Sequence, residues 1–195
     1  MSSVTEIVNN AYRLLGEGRI NDLAEPTTLG QYARDVYEQT TADLLSRYAW
    51  NFAVKLSPPL GITTNVQVFE GEFAFNVPLD YLSVVDVLTE SGQKIVSYEV
   101  RENTIISYCN VIRIKYVSRA EEYRFSAAFR EALSYALASK LADLVKQSNT
   151  DGERFAIMAE RQLSRARFHD SSEQHPIIRD DNVFIKSRSG YGVSQ

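Results

Sequence analysis

The spacing of apolar residues changes twice along this chain of 195 residues, and no other feature restricts its fold as strongly. Before residue 50 and again after about residue 126, apolar residues recur in steps of three and four, the period of an amphipathic helix. Between these parts, short apolar runs alternate with polar residues and turn formers, as in strands. We therefore expect an α+β fold: an antiparallel helical bundle of residues 1–50 and 124–169, with a small antiparallel β-domain inserted at 51–123.

The N-terminal part contains two helical patterns. In the first, Ser3 and Glu6 have the spacing of a capping box, and Gly16 and Gly18 end the helix. A second capping-box spacing begins at Thr28 and opens a longer apolar stripe. Because the connection between them is short, we expect the two helices to pack as a pair.

Seven segments of the middle region have the composition of strands. Pro58 and Pro59 separate the first from the others, which are punctuated by Gly71, Pro78 and Asn103. This pattern predicts an antiparallel meander or a small barrel. The predicted strands are residues 51–56, 66–69, 73–77, 83–88, 95–100, 104–107 and 111–117.

Helical patterning returns near Ser126 and runs through an alanine-rich segment. Thr150 and Glu153 then have the spacing that opens a last helix. After His169 the chain becomes rich in Ser, Gly, Asp and Arg, and we predict that residues 170–195 form an extended C-terminal arm.

The predicted arm carries isolated apolar residues, which a purely solvated tail does not need. A few apolar anchors on a polar linker are typical of arms that become ordered against a partner. A floppy terminus, or a strand folded back on its own subunit, is the alternative. The candidate partner-binding residues of the arm are His175, Ile177, Ile178, Phe184 and Ile185.

Charge and cysteine content exclude several classes of protein. The formal net charge of -4 gives no broad basic field, which argues against a dedicated duplex-binding protein. The single cysteine, Cys109, has apolar neighbours and is expected to be a buried small hydrophobe. No secretory segment and no membrane-spanning run is recognisable, so the expected location is the cytoplasm.

The motifs of common catalytic sites do not occur. His169 and His175 stand without a cysteine cluster or an HExxH pattern, so no metal is expected. The glycines form neither a P-loop nor a GxGxxG pattern, and no serine lies in GxSxG, so we expect no cofactor and no catalytic residue. The aromatic residues of the N-terminal third, among them Tyr12 and Trp50, are expected to pack in the core.

Two groups of charged residues leave alternatives open. A pair drawn from Glu70, Glu72, Asp80 and Asp86 is enough for glycoside cleavage if one pKa is raised, although acidic turn residues are usually only solvated. The arginines of the last helix are either a solvated face or a surface for partner carboxylates or DNA phosphates. These candidate partner-binding residues are Arg154, Arg161, Arg165 and Arg167.

Several segments carry a resemblance to a known family. They are residues 7–16 (IVNNAYRLLG), residues 20–23 (INDL), a helix centred on Arg34 that closes in residues 44–53 (LLSRYAWNFA), and residues 129–133 (FREAL) through 138–142 (ASKLA). Together they resemble the head-to-tail adaptor family of short-tailed bacteriophages, also called tail tubular protein A. The resemblance covers roughly half of the chain, and the β-region and the tail match only in position.

The resemblance implies a structural virion protein without enzymatic activity. Members of this family form twelve-subunit rings beneath the portal, extend the DNA channel and present a platform for the tail nozzle. Portal protein, nozzle protein and further copies of the chain are therefore the expected partners, double-stranded DNA passes without specific binding, and no membrane is involved. The expected location is the virion, after assembly in the host cytoplasm. A cell-wall hydrolase, and a neck adaptor of a long-tailed phage or gene-transfer particle, are the alternatives.

Overall fold

The computed structural model describes residues 3–146 and 148–173. Two helices precede the strand region along the chain, α1 (Ser3–Leu15) and α2 (Thr28–Ser46), and two follow it, α3 (Ala127–Lys146) and α4 (Asn149–Ser172). A short 3-10 helix, Glu122–Arg124, precedes α3. The strands are β1 (Val54–Leu56), β2 (Ile62–Thr63), β3 (Phe73–Asn76), β4 (Tyr81–Thr89), β5 (Lys94–Ile95), β6 (Tyr98–Arg101), β7 (Thr104–Ser107) and β8 (Ile112–Ser118). The α+β class is confirmed.

Helix α1 ends as its glycine predicts. Gly16 has a φ of +73°, and its N–H donates to the carbonyl of Arg13 while the N–H of Glu17 donates to the carbonyl of Tyr12. This is a Schellman arrangement, in which a residue without Cβ takes the left-handed conformation and the last carbonyls of the helix are satisfied.

Two predicted helix starts are displaced by one or two residues. The acceptor at the start of α2 is Thr27, whose hydroxyl takes the N–H of Gly30 at 3.1 Å, and not Thr28. At the start of α4 the acceptor is Ser148, whose hydroxyl takes the N–H of Asp151 at 3.3 Å, and not Thr150. In both places a hydroxyl earlier in the chain caps the amide three residues after it. Helix α2 therefore begins one residue, and α4 two residues, before the predicted start.

Helix α3 is the centre of the helical part, because α1, α2 and α4 all pack against it. It lies close to α4 at Gly152. A Cβ built there would lie 3.3 Å from the carbonyl oxygen of Ser139, whose hydroxyl donates to the carbonyl of Gly152 at 2.8 Å. The helices share one apolar core; their arrangement as an antiparallel bundle stays a prediction.

The strand region folds into two antiparallel four-stranded sheets. The first sheet has the order β1-β8-β4-β5 and the second the order β2-β3-β7-β6. Antiparallel pairing is confirmed, but the simple meander is wrong, since β8 returns to lie between β1 and β4. Residues 66–69 are not a strand, and the segment predicted at 95–100 is split between β5 and β6.

The first sheet is the middle layer of the molecule. On one side, Val117 and the half-buried Val54 and Val85 join the helical core. On the other side, Ile114 and its neighbours share a second core with the second sheet. The sheet can face two cores because successive side chains of a strand point to opposite faces. The β-region is thus joined to the helices through part of one face of the first sheet.

Helix α4 continues to Ser172, three residues into the predicted arm of 170–195. Residues 174–195 lie outside the described residues, and with them the arm candidates His175, Ile177, Ile178, Phe184 and Ile185.

Candidate interaction surfaces

The turn between α2 and β1 contains a buried aromatic cluster. Trp50 is fully buried, and its indole N–H donates to the carbonyl of Leu44 at 3.1 Å. Its ring centroid lies 5.0 Å from Tyr48, 5.7 Å from Phe52 and 5.0 Å from Phe129. Such pairs stabilise beyond the apolar area they bury. The aromatic residues of this segment therefore belong to the core, as the sequence predicts.

Asp170 ties the end of α4 to the same turn. Both of its carboxylate oxygens accept the backbone N–H of Asn51 at 3.1 Å, and the side-chain amide of Asn51 donates to the carbonyl of Asp170 at 2.7 Å. Only 5% of Asp170 is exposed. Burial raises the pKa of Asp170, and the hydrogen bond from Asn51 offsets that rise only in part. The sequence analysis did not identify this pair.

Other residues in the segments that resemble the family make hydrogen bonds that connect α1, α2 and the loop between them. Asn9 and Ile20 exchange two hydrogen bonds of 2.9 Å, and the hydroxyl of Tyr12 donates to the carbonyl of Leu29. The guanidinium of Arg34 donates to the carbonyls of Leu23 and Glu25. Burial, followed by the charge of Glu17, raises the pKa of Tyr12 to about 12. These residues hold the connection between the two helices in place.

The arginines predicted on α4 divide into two groups. Arg154, Arg161 and Arg165 lie on one exposed side of the helix, together with Ile157 and Phe168. Ile157 is 57% exposed and Phe168 72% exposed. Large apolar side chains on the outermost line of a helix indicate a contact surface.

Arg167 does not belong to that surface. It is half-buried, its guanidinium carbon lies 6.0 Å from the ring centroid of Tyr48, and its Nε is buried without a hydrogen-bond partner. Two residues beyond Arg165, it is rotated by about 200° around the helix, which the helical period alone could have shown.

The acidic residues of the β-region are engaged in local contacts. Asp80 accepts from the ammonium of Lys55 at 2.6 Å and from the hydroxyl of Tyr116 at 3.0 Å. Burial acts to raise the pKa of Asp80, but the hydrogen bonds from Lys55 and Tyr116 outweigh it and the pKa is lowered. A general acid for glycoside cleavage needs the opposite shift.

The remaining acidic candidates have simpler surroundings. Asp86 pairs with Lys94 at 2.7 Å, Glu72 accepts the backbone N–H of Phe69 at 3.1 Å, and Glu70 is exposed. Cys109 is half-buried at the edge of the second core, less buried than predicted.

Several large apolar side chains of the β-region are exposed, but at separate places. Ile62 on β2 and Tyr98 and Val100 on β6 lie at opposite edges of the second sheet, and Leu56 lies on β1 of the first sheet. Within the described part of the chain, the other exposed apolar side chains of this region lie in connecting loops: Val68, Phe69, Leu79, Val96 and Tyr108. Single exposed apolar side chains are ordinary on a protein surface, and the sheet order does not join these into one patch.

Within residues 3–146 and 148–173, no group of three or more His, Cys, Asp or Glu side chains is placed to hold a metal ion. None of the helices described is both long and apolar enough to span a membrane.

Comparison with known proteins finds no family model that matches the chain. No curated protein matches its sequence either.

Proposed function

We propose that this chain is a structural virion protein, the subunit of a head-to-tail adaptor ring that joins the portal to the tail nozzle and extends the DNA channel. The proposal begins from the resemblance of the helical segments to that family. In it, the chain performs no catalysis and binds no cofactor.

The observation that carries the proposal is the role of the resembling residues. Asn9, Tyr12, Arg34, Trp50 and Asn51 all make internal hydrogen bonds that connect α1, α2, α4 and the loops beside them. They support an architecture and do not surround a cavity with reactive groups. A family related by such residues shares a framework whose function lies in its outer surfaces.

The outer surfaces supply the partners in this proposal. The exposed apolar side chains of the β-region, such as Phe69 and Leu79, face the nozzle protein. The helical part meets the portal and neighbouring copies, and residues 174–195 reach along the portal or an adjacent subunit. The net charge of -4 suits a channel wall that does not retain passing DNA.

The alternative of a cell-wall hydrolase has no specific observation in its favour. Its candidate Asp80 is paired with Lys55, which stabilises the charged carboxylate. If the chain were a hydrolase, zymography on peptidoglycan would show clearing that Glu72→Gln or Asp80→Asn removes.

The experiment that tests the proposal uses the full chain and the purified portal protein encoded by the same genome. We expect electron micrographs of the mixture to show an added ring at one end of the portal, and full-length I177D/I178D to join far less. The reason is that apolar anchors supply most of the affinity of an arm. E70K/E90K, which alters two exposed carboxylates of the β-region, is the matched control and should join normally.

Cryo-electron microscopy of the particle encoded by that genome is the decisive measurement. Density for this fold beneath the portal supports the proposal, and a portal vertex at which the fold is absent contradicts it.

A further inference from the structure

The outermost line of α4 is unusual for a solvated face. Ile157, Arg161, Ser164 and Phe168 follow one another in steps of four, three and four, so they form one straight stripe. This stripe lies opposite the buried residues Phe155, Leu163 and Ala166, which face the helical core. Two largely exposed apolar side chains about three turns apart are therefore aimed directly away from the molecule.

Three arginines lie beside this stripe, together with the exposed Glu153 and Glu160. Within the described ranges, Arg154, Arg161 and Arg165 have no carboxylate within 4.0 Å. The nearby Glu160 is already paired with Arg47 at 2.6 Å. A surface that covers the α4 stripe should thus present carboxylates around a small apolar depression.

The outer face of α2 has this character. It carries Asp35 and Glu38, and the only cation within the helix, Arg34, is turned toward the carbonyls of the preceding loop. Near the centre of this face lie a polar residue, Gln39, and a small apolar one, Ala42.

A cleft of about 170 Å³ borders this face of α2. Ala42 and Leu45 give it an apolar wall, Glu38 and Glu122 are acidic residues of its lining, and Arg119 also contributes to it. Tyr37 and Thr41 add polar groups to the lining, so the cleft has room for the end of one apolar side chain beside its carboxylates.

We propose that the α4 stripe of one copy packs against the outer face of α2 in the next copy. Ile157 or Phe168 enters the Ala42 cleft, and Arg161 and Arg165 lie opposite Asp35 and Glu38. This inference rests on the proposed ring and specifies its contact. Helix lengths permit it, since α2, with 19 residues, can lie alongside α4, with 24.

The contact is heterologous, which is what a ring requires. Each copy uses α4 for one neighbour and α2 for the other, so every added copy leaves the same two faces free until the ring closes. Exposed ion pairs contribute little by themselves. The apolar anchors therefore supply affinity, and the charges select partner and register.

A charge exchange between two full-length variants tests this pairing. R161E/R165E makes both faces acidic, and D35K/E38K makes both faces basic, so neither variant should associate with itself. In an equal mixture every contact joins an acidic face to a basic one. We expect electron micrographs of mixtures with the purified portal protein to show no added ring for either variant alone, and an added ring for the equal mixture as for wild type.

Matched controls alter equal charge elsewhere. R13E/R19E, at the end of α1 and in the loop after it, and E70K/E90K on the β-region should assemble normally, and circular dichroism checks that every variant is folded. An equal mixture that adds no ring to the portal, or single variants that each add a ring, would overturn the inference.

The outcomes for the two proposals are separate. If rings form on the portal with either charge variant alone, the α4–α2 contact is wrong and the adaptor function stands. If the charge exchange succeeds but particles lack the chain at the portal vertex, the contact stands and the adaptor function fails.

Discussion

Asp170, near the end of α4, accepts the backbone N–H of Asn51 through both carboxylate oxygens at 3.1 Å, across 119 positions of sequence. Asn51 lies in the turn that leads from the helices into the first sheet. The pair therefore joins the last turn of the last described helix to the boundary between the two parts of the fold.

The raised pKa of Asp170 predicts a pH dependence of stability. Between the ordinary aspartate pKa and the raised one, the folded chain binds more protons than the unfolded chain, so this group stabilises the fold as pH falls and that stabilisation is lost as pH rises. Asp170→Asn should remove this contribution. Urea unfolding of both proteins from pH 3 to pH 7, a range of about four units around carboxyl titration, measures the difference.

In that comparison, the stability of wild type relative to Asp170→Asn should increase toward low pH. A difference that is constant with pH, while Ser171→Ala behaves like wild type, would show that Asp170 has an ordinary pKa.

Tyr12→Phe should destabilise the fold without changing its shape. The hydroxyl of Tyr12 donates to the carbonyl of Leu29, and the ring is fully buried, so the substitution leaves a carbonyl with no replacement donor. We expect the free energy of unfolding to fall by about 1–3 kcal/mol. Tyr123→Phe, at a largely exposed position, is the control and should change it little; equal effects of the two substitutions would contradict the role of this hydrogen bond.

Gly30→Ala should be among the most damaging single-methyl changes. A Cβ at Gly30 would lie 2.3 Å from the carbonyl oxygen of Glu25, which is backbone and cannot turn away. Relief of that overlap should cost about 1–3 kcal/mol, visible as a lower Tm in thermal unfolding. At Gly61 nothing lies within 4 Å of the built Cβ, so Gly61→Ala should leave the Tm nearly unchanged; a Gly30→Ala protein as stable as wild type would refute the close approach.

The carboxyl of Asp80 should titrate below its ordinary pKa. Its ion pair with Lys55 and its hydrogen bond from Tyr116 favour the charged form over the opposing effect of burial. Lys55→Met should raise this pKa toward or above the ordinary value. Carbon NMR titration of the side-chain carboxyl measures it, and a wild-type pKa above the ordinary value would instead reopen the general-acid alternative.

Much of the secondary structure follows from local spacing. The order of two helices, a strand region and two further helices is visible because side chains repeat every 3.6 residues in a helix and every two in a strand. Trp50 is predicted as core because no basic groove is interleaved with the aromatic residues around it, and Gly16 ends α1 where a residue without Cβ is needed. Helix starts are less predictable, since the capping-box spacing favours Thr28 whereas the folded backbone selects Thr27.

The sequence by itself determined which segments are helical, which are extended, and which side chains are apolar enough to form a core, because these properties depend on near neighbours. Only the tertiary structure decided that β8 lies between β1 and β4, that Asp170 is buried against Asn51, and that Arg167 lies over the ring of Tyr48. Those relationships join residues far apart in the chain. Their energies depend on burial and distance, which exist only once the layers have packed.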